Sequence, residues 1–400
     1  MPLLASSDDC TACMACYNSC PNKAINVYND GEGFLQLKVD AERCVDCKQC
    51  EKVCPVLSSF KSHESAEPKV YAAWYEEDRR VSSSGGLFSA LARKTINKGG
   101  IVYGAAFDKS FQLQHIGVNN VNDLELLRGS KYVQSKIGDV YKTIKRQVIE
   151  GKTVLFCGTP CQVAGLHSFM KKTYENILTI DLVCHGVPSN LVFQSYLKKL
   201  VNRFDSTDRK RQIEKFEFRC RNGWGILPSI SSFGNSYYLY GVDALYLDAF
   251  NKNALFRRSC YQCPFAKLPR VGDITLGDFW GIGRHGISFR HKVEKGVSMV
   301  MINTEQGLKA FNDLSNSIFR EERSIEEALV ENPNIINPSK KHPRRDEIIA
   351  DFINDQLSLK EIDLKYQLVD RSWKNVVKTI ALKMGFYDAI KVFYNKFKSI

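Results

Sequence analysis

The residues best equipped for chemistry are eight cysteines near the start of the chain: Cys10, Cys13, Cys16 and Cys20-Pro21, then Cys44, Cys47, Cys50 and Cys54-Pro55. Both runs read C-x2-C-x2-C-x3-C-P, the spacing at which thiolates hold a pair of iron–sulfur clusters, the fourth Cys of each run serving the other run's cluster. Cys10, Cys13, Cys16 and Cys54 are therefore expected around one [4Fe-4S] cluster, and Cys44, Cys47, Cys50 and Cys20 around a second. Thiolates are soft donors and suit iron–sulfur iron. Each Pro opposes a simple helical continuation. A disulfide framework would need an oxidising compartment. The opening Met1-Pro2-Leu3 leads into Ser6, Ser7, Asp8 and Asp9 with no charged or apolar segment of a secretion signal, so a reducing cytoplasm is the expected location. Structural zinc favours C-x2-C pairs on either side of a finger loop, not four ligands crowded into a run that then repeats.

Six more cysteines follow. Cys157-Gly158-Thr159-Pro160-Cys161 and Val183-Cys184-His185-Gly186 each stand where a strand is expected to end, and Cys260-Tyr261-Gln262-Cys263-Pro264 adds a C-x2-C pair. Strand ends of an α/β sheet converge on one edge, where such folds place their ligands. Four of these thiols could hold a third cluster. The alternative is ordinary packing, since free Cys is among the most buried residue types.

The elements that must position these groups are read from periodicity. The 400 residues have room for two or three domains. Ala24 to Val27 and Leu35 to Val39 read as short strands about the turn Asn29-Asp30-Gly31, a unit with little core in which bound clusters supply folding energy. The polar stretch from Ser58 to Pro68 reads as a linker. Beyond it Val70 to Tyr75, Ile101 to Phe107 and Ile177 to Cys184 read as strands, and Val154 to Phe156 is an apolar run that fits a buried strand but is too short for periodicity to settle. They alternate with helices over Leu87 to Ile96, Cys161 to Met170 and Asn190 to about Val201. That alternation argues for an α/β domain. Later strands, Ile213 to Arg219 and Val297 to Asn303, follow longer irregular pieces and argue for a mixed sheet. The expected architecture is α+β and α/β combined: a ferredoxin-like unit over 1–58, a linker over 59–69, a mixed-sheet domain over 70–335 and a basic helical tail over 336–400.

No uninterrupted apolar run is long enough to span a membrane. The formal net charge of +12 fits anionic partners in general, but no recognition motif accompanies it, so nucleic acid is not expected as a partner. In the tail, Trp373, Val376, Val377, Ile380, Met384, Tyr387 and Phe397 approximate one helix face among lysines. A helix docked on its own protein is the expectation, with peripheral contact to an anionic membrane as the alternative.

The motifs of the larger domain, taken together, carry a resemblance. Ser83-Ser84-Gly85-Gly86-Leu87-Phe88, Lys131-Tyr132-Val133-Gln134-Ser135, Gly158-Thr159-Pro160-Cys161-Gln162, Asp181-Leu182-Val183-Cys184-His185-Gly186-Val187-Pro188 and Gly272-Asp273-Ile274-Thr275-Leu276-Gly277-Asp278-Phe279-Trp280-Gly281 resemble the family of coenzyme F420 hydrogenase/dehydrogenase beta subunits. The likeness runs roughly from Val70 to Asn303, behind a bacterial-type two-cluster ferredoxin domain. It implies a flavoprotein holding FAD and a further [4Fe-4S] cluster. Carried onto this chain, the ligands of that cluster are Cys161, Cys184, Cys260 and Cys263, and Cys157 and Cys220 are packing residues.

For the flavin, Ser84, Gly85 and Gly86 open a helix, where free N–H groups and the dipole favour a phosphate and Gly permits close backbone approach. Lys131, Gln134 and Ser135 add a cation and polar donors, with Gly158 and Thr159 at the neighbouring strand end. Asp273 and Asp278 flank a strand-like segment, and His185, titratable near neutrality, is the candidate proton donor. The expected activity is that of an oxidoreductase: electrons from ferredoxin or another redox protein cross the clusters to FAD and reduce F420 or another small organic substrate, or run in reverse. The alternative is an electron-relay subunit of a larger complex. The large domain with its convergent strand ends favours the enzyme.

Overall fold

A computed structural model describes residues 2–58, 68–204, 213–219, 224–285 and 287–383. Cys220, most of the expected linker, and Met384, Tyr387 and Phe397 of the tail lie outside the described residues.

In the N-terminal unit, β1 (Ile25–Asn29) and β2 (Leu35–Val39) pair antiparallel, Ile25 opposite Val39. The Asp30 carboxylate fixes the turn between them by accepting from the N–H groups of Glu32 and Phe34 at 3.0 and 2.9 Å. Short helices Ala15–Ser19 and Gln49–Lys52 each carry the third Cys of a run. Apolar contact here is made largely by the cysteines themselves: Cys13 with Ala15 and Val53, Cys16 with Ile25 and Cys50.

Eight strands form the main sheet. They are β3 (Lys69–Trp74), β4 (Ile101–Phe107), β5 (Leu113–Val118), β6 (Val154–Gly158), β7 (Ile177–Leu182), β11 (Ile274–Asp278), β12 (Ser298–Ile302) and β13 (Phe319–Arg323), in the order β13-β3-β12-β11-β7-β6-β4-β5. The central four, β11, β7, β6 and β4, are parallel, and the flanking strands run antiparallel. The sheet is therefore mixed, as expected. Val154, Leu155 and Phe156 are wholly buried because helices cover both faces. Alternation sends Leu155 toward Leu87, Leu91 and Ile180, and sends Val154 and Phe156 toward Tyr141, Val163 and Leu166.

A second, three-stranded sheet, β8 (Lys215–Glu217), β9 (Ser229–Ser232) and β10 (Asn235–Tyr238), joins helix Asn190–Phe204 around an aromatic core of Phe193, Tyr196, Phe216, Phe218 and Tyr246. Ile348, Ile349 and Phe352 of helix Arg345–Ile353, and Leu359 and Ile362 of helix Leu359–Tyr366, bury in that same core. The expected boundary at 335 therefore separates nothing: the chain as far as Leu368 is part of the larger domain. Farther on, in helix Trp373–Lys383, Val376, Val377 and Ile380 are about half exposed, while Ala381 is buried. The docked face expected of the tail is not made by these three residues. Among the described residues no helix is long and apolar enough to cross a membrane.

Candidate redox site

Cys10, Cys13, Cys16 and Cys54 line one cavity of about 80 Å³. Cys20, Cys44, Cys47 and Cys50 line another of about 20 Å³, so each fourth Cys sits with the other run. The backbone repeats as well: Ala12 and Met14 (φ 52° and 65°), and Asp46 and Lys48 (φ 51° and 56°), occupy the left-handed region at the same offsets from Cys10 and Cys44. Side chains bearing a Cβ disfavour that conformation, and its recurrence wraps each loop about its thiols. Ala12 N–H donates to Cys10 Sγ at 3.4 Å and Ala24 N–H to Cys20 Sγ at 3.2 Å. Burial, then the neighbouring thiolates, pushes Cys13 and Cys16 well above the usual thiol range. Thiolates crowded in this way need a cationic core among them, and an all-sulfur donor set fits iron–sulfur iron. Among the described residues no three His, Cys, Asp or Glu side chains are grouped as a single metal ion requires; a four-iron core needs its ligands more widely spread.

The later cysteines come from three places in the fold. Cys161 is the second residue of helix Pro160–Met170, directly after β6; Cys184 follows β7; Cys260 and Cys263 lie on and just after the 3₁₀ turn Arg258–Gln262. Burial and then Cys263 push Cys161 up to about 11, and the same two causes push Cys260 up to about 12. Cys184 is raised by burial and then by Cys260, Cys161 and Cys263 in turn. Effects of this kind place the four thiols within electrostatic reach of one another. Their supports are rigid. Gln162 Oε1 accepts from Thr159 N–H at 3.0 Å, and its Nε2 donates to Ser135 O at 3.1 Å, fixing the first turn that carries Cys161. The wholly buried pair Arg270–Asp181, 2.8 Å apart, ties β7 to the loop after Cys263, because Arg270 also donates to the Phe265 carbonyl. Cys157 packs instead with the apolar cluster around Leu155.

Arg257, three residues before Cys260 and 2% exposed, reaches across to the N-terminal unit. It donates to the carbonyls of Cys10 and Leu35 at 2.6 and 2.7 Å and to Gln36 Oε1 at 3.0 Å. Arg345 donates to Glu32 at 2.6 Å, Ser189 Oγ donates to the Glu32 carbonyl at 2.6 Å, and Gln134 Oε1 accepts from Leu35 N–H at 3.0 Å. The two units are thus docked, with the first Cys set against the third.

The residues expected around a flavin lie along the C-terminal edge of the parallel strands, but not all point one way. Gly86, φ 85°, starts helix Leu87–Asn97, whose N-terminus has no side-chain cap. Ser130 N–H donates to Ser83 Oγ at 2.8 Å, bringing Lys131 beside that turn. Lys131 Nζ donates to the carbonyls of Leu127, Arg128 and Gly129. Ser84 Oγ donates to Val297 O at 2.9 Å. Gly85 presses on β3: a Cβ there would lie 2.3 Å from Ala73 O. Gln134 belongs to the docking seam, and Ser135 Oγ pairs with the buried His115 at 2.7 Å. The uncapped helix start with Gly86, beside Lys131, fits a phosphate. A cavity of about 540 Å³ beside β4 and β5 is lined by none of the expected flavin residues and gives the flavin reading no support.

Farther along the edge, Asp278 accepts two hydrogen bonds from Arg219 at 2.5 and 3.0 Å and one from Trp224 Nε1 at 2.6 Å, and Trp224 stacks on Trp280 at 4.8 Å. His185 stands exposed near Asp278; the protein packed around its ring lowers its pKa, with Asp278 opposing. Asp273, by contrast, is structural, accepting from the N–H and hydroxyl of Thr179 at 2.8 and 2.6 Å. Sequence reasoning missed Arg219, Trp224 and Arg257. Their partners are far away in the chain, and only the position of Arg257 beside the C-x2-C pair could have drawn attention to it.

Fold and site define an iron–sulfur protein in which a ferredoxin-like unit is docked on a mixed-sheet α/β domain. Residues 151–328 match the family described as the C terminus of the coenzyme F420 hydrogenase/dehydrogenase beta subunit, and residues 9–57 match the 4Fe-4S dicluster domain. The chain thus carries a region similar to the C terminus of the coenzyme F420 hydrogenase/dehydrogenase beta subunit behind a 4Fe-4S dicluster domain. The F subunit of the F(420)H(2) dehydrogenase of Methanosarcina mazei is 24% identical over 288 residues, 68% of this chain and 78% of that protein. A ferredoxin 7Fe of Hydrogenibacillus schlegelii is 32% identical over 65 residues, 16% of this chain and 74% of that protein. A chain of the F420-reducing [NiFe] hydrogenase complex from Methanosarcina barkeri, in a xenon-derivatised structure, aligns with a TM-score of 0.46 at 18% identity, over 69% of this chain and 90% of that one.

Proposed function

We propose that the protein is an FAD- and [4Fe-4S]-dependent oxidoreductase that exchanges electrons with ferredoxin or another redox protein and reduces, or oxidises, F420 or another small organic substrate. The observation that carries this reading is the convergence of Cys161, Cys184, Cys260 and Cys263 between the docked ferredoxin-like unit and the sheet edge bearing Gly86, Lys131 and Thr159. In this reading Cys10, Cys13, Cys16 and Cys54 hold one [4Fe-4S] cluster, Cys20, Cys44, Cys47 and Cys50 a second, and the four later thiolates a third. FAD, when bound, supplies the exchange between one-electron and two-electron steps. The start of helix Leu87–Asn97, with Ser84, Gly85 and Gly86, receives a phosphate. Lys131 adds positive charge, Gly158 and Thr159 wall the strand end, and His185 holds at its imidazole the proton exchanged with substrate. The name of the Methanosarcina mazei relative supports F420 as the organic partner. The half-exposed Val376, Val377 and Ile380 among the tail's lysines support peripheral contact with an anionic membrane. Cosedimentation with anionic but not neutral vesicles tests that contact.

Anaerobic purification followed by iron, sulfide and flavin analysis tests the core of the reading. Three four-iron clusters give about twelve iron per chain, together with bound flavin. About eight, unchanged by Cys161→Ser, removes the third cluster. Full iron without flavin favours the relay, and a reduced flavin that F420 fails to reoxidise removes F420 as the substrate.

A further inference from the structure

The cleft of about 540 Å³ between helix Val140–Ile149 and the face of β4 and β5 has no part in the roles above. Its size is that of a small-molecule pocket. On its floor Tyr103 pairs with Gly117 across the two strands, and the tyrosine ring lies over the glycine: a Cβ on Gly117 would be 2.7 Å from that ring. The walls are fixed by the fold. Lys136 N–H donates to Leu113 O at 3.0 Å and Lys136 O accepts from His115 N–H at 2.9 Å. Asn18 of the ferredoxin-like unit holds the start of the helix, donating to Gly138 O at 2.8 Å and accepting from Lys142 N–H at 3.3 Å.

Donors outnumber acceptors in this lining. Tyr103 O–H donates to Gln147 Oε1 at 2.9 Å, so what Gln147 has left to offer is its amide N–H2. Asp139, the one carboxylate among the lining residues, is bonded to the Lys142 ammonium at 3.1 Å. Among the described residues the Lys136 ammonium and the side-chain amides of Gln114 and Asn119 have no hydrogen-bond or ion-pair partner. An unpaired ammonium with amide donors beside it suits an oxyanion. The two-pronged fork that recognises a carboxylate is an arginine, and the lining has none; lysine acts as a point charge and suits phosphate. Ile101, Ile137 and Val140 add apolar surface. We infer that this cleft binds a phosphate monoester of a small, partly apolar molecule, with Lys136 and Gln147 on the phosphate and Ile101, Ile137 and Val140 against the body. Gly86 and Lys131, given above to a flavin phosphate, are not part of its lining, so the two sites are separate.

The test is calorimetric titration of the full chain, purified anaerobically, with phenyl phosphate. Benzoate carries the same body on a carboxylate, and inorganic phosphate lacks the body. Saturable binding of phenyl phosphate is expected, tighter than that of either comparison probe. Lys136→Met removes the charge and keeps the stem; Gln147→Glu keeps the acceptor for the Tyr103 hydroxyl and replaces the donor. Each is expected to weaken binding by about tenfold or more. Lys136 is exposed, so Lys136→Met should leave the thermal midpoint unchanged, and this variant decides if Gln147→Glu proves less stable. No binding at millimolar phenyl phosphate would overturn the site. So would equal affinity for benzoate or for inorganic phosphate, or an affinity unchanged in Lys136→Met, which would put the ligand elsewhere.

Discussion

His115 sits 5% exposed between Ser135 Oγ and the Cys157 carbonyl, and the carbonyl requires the ring proton on Nε2. Burial, reinforced by the charge of Lys131, lowers its pKa to about 4. The unfolded chain gains a proton below the ordinary imidazole value while the folded one does not, so stability falls as pH drops from about 6.5 toward 4. Urea unfolding at pH 5 should show roughly 2 kcal/mol less stability than at pH 7 from this residue. His115→Gln should lose that difference, and an equal pH dependence in both proteins would assign it to other groups. Arg270→Met leaves the Asp181 carboxylate buried without its cation. The expected cost is about 3–5 kcal/mol, read as a fall in the urea midpoint. At this scale the two cysteine runs were legible because their spacing is local, and the structure gathers each fourth Cys with the other run. Arg257 was not legible, because its partner Cys10 lies 247 residues away, and no local pattern records such a pairing.

Among the elements, legibility followed burial. β6 showed in the sequence as a run of three apolar residues, too short for periodicity to settle but apolar because both its faces are covered, whereas β5 and β13 at the sheet edges, with sequences Leu-Gln-His-Ile-Gly-Val and Phe-Arg-Glu-Glu-Arg, have solvent on one side and lack an apolar run. The turn before helix Leu87–Asn97 was read as a phosphate loop, and the structure adds a reason of packing. Gly85 lies against the Ala73 carbonyl and accepts from Tyr75 N–H through its own. Gly85→Ala forces backbone apart and is expected to cost roughly 1–3 kcal/mol, seen as a lower thermal midpoint. Gly31→Ala serves as the control, since its φ lies outside the left-handed region, as that of Gly85 does, and nothing crowds its missing Cβ.

For the molecule as a whole, the polar stretch after Ser58 was read as a linker, and most of it lies outside the described residues. The extent of the larger unit was not legible, because Ile348, Phe352 and Ile362 look like an ordinary amphipathic tail until the aromatic core they complete is seen. The seam between the units combines the apolar contacts of Met14 and Phe34 with hydrogen bonds from the buried Arg257 and Arg345. Arg257→Met removes three cross-unit hydrogen bonds. Hydrogen–deuterium exchange over residues 10–40 is expected to rise in this variant while β6 and β7 stay protected; unchanged protection would show that the remaining contacts suffice. The bond from Arg345 to Glu32 has a consequence in time. Its partners are 313 residues apart, so at about 5–20 residues per second the ribosome makes the second of them roughly 15–60 s after the first. For that interval Glu32 lacks its bond to Arg345, although Gln134, Gly165, Ser189 and Arg257, which also meet the N-terminal unit, are made earlier. The seam is therefore completed late in synthesis, when the helix that carries Arg345 is made.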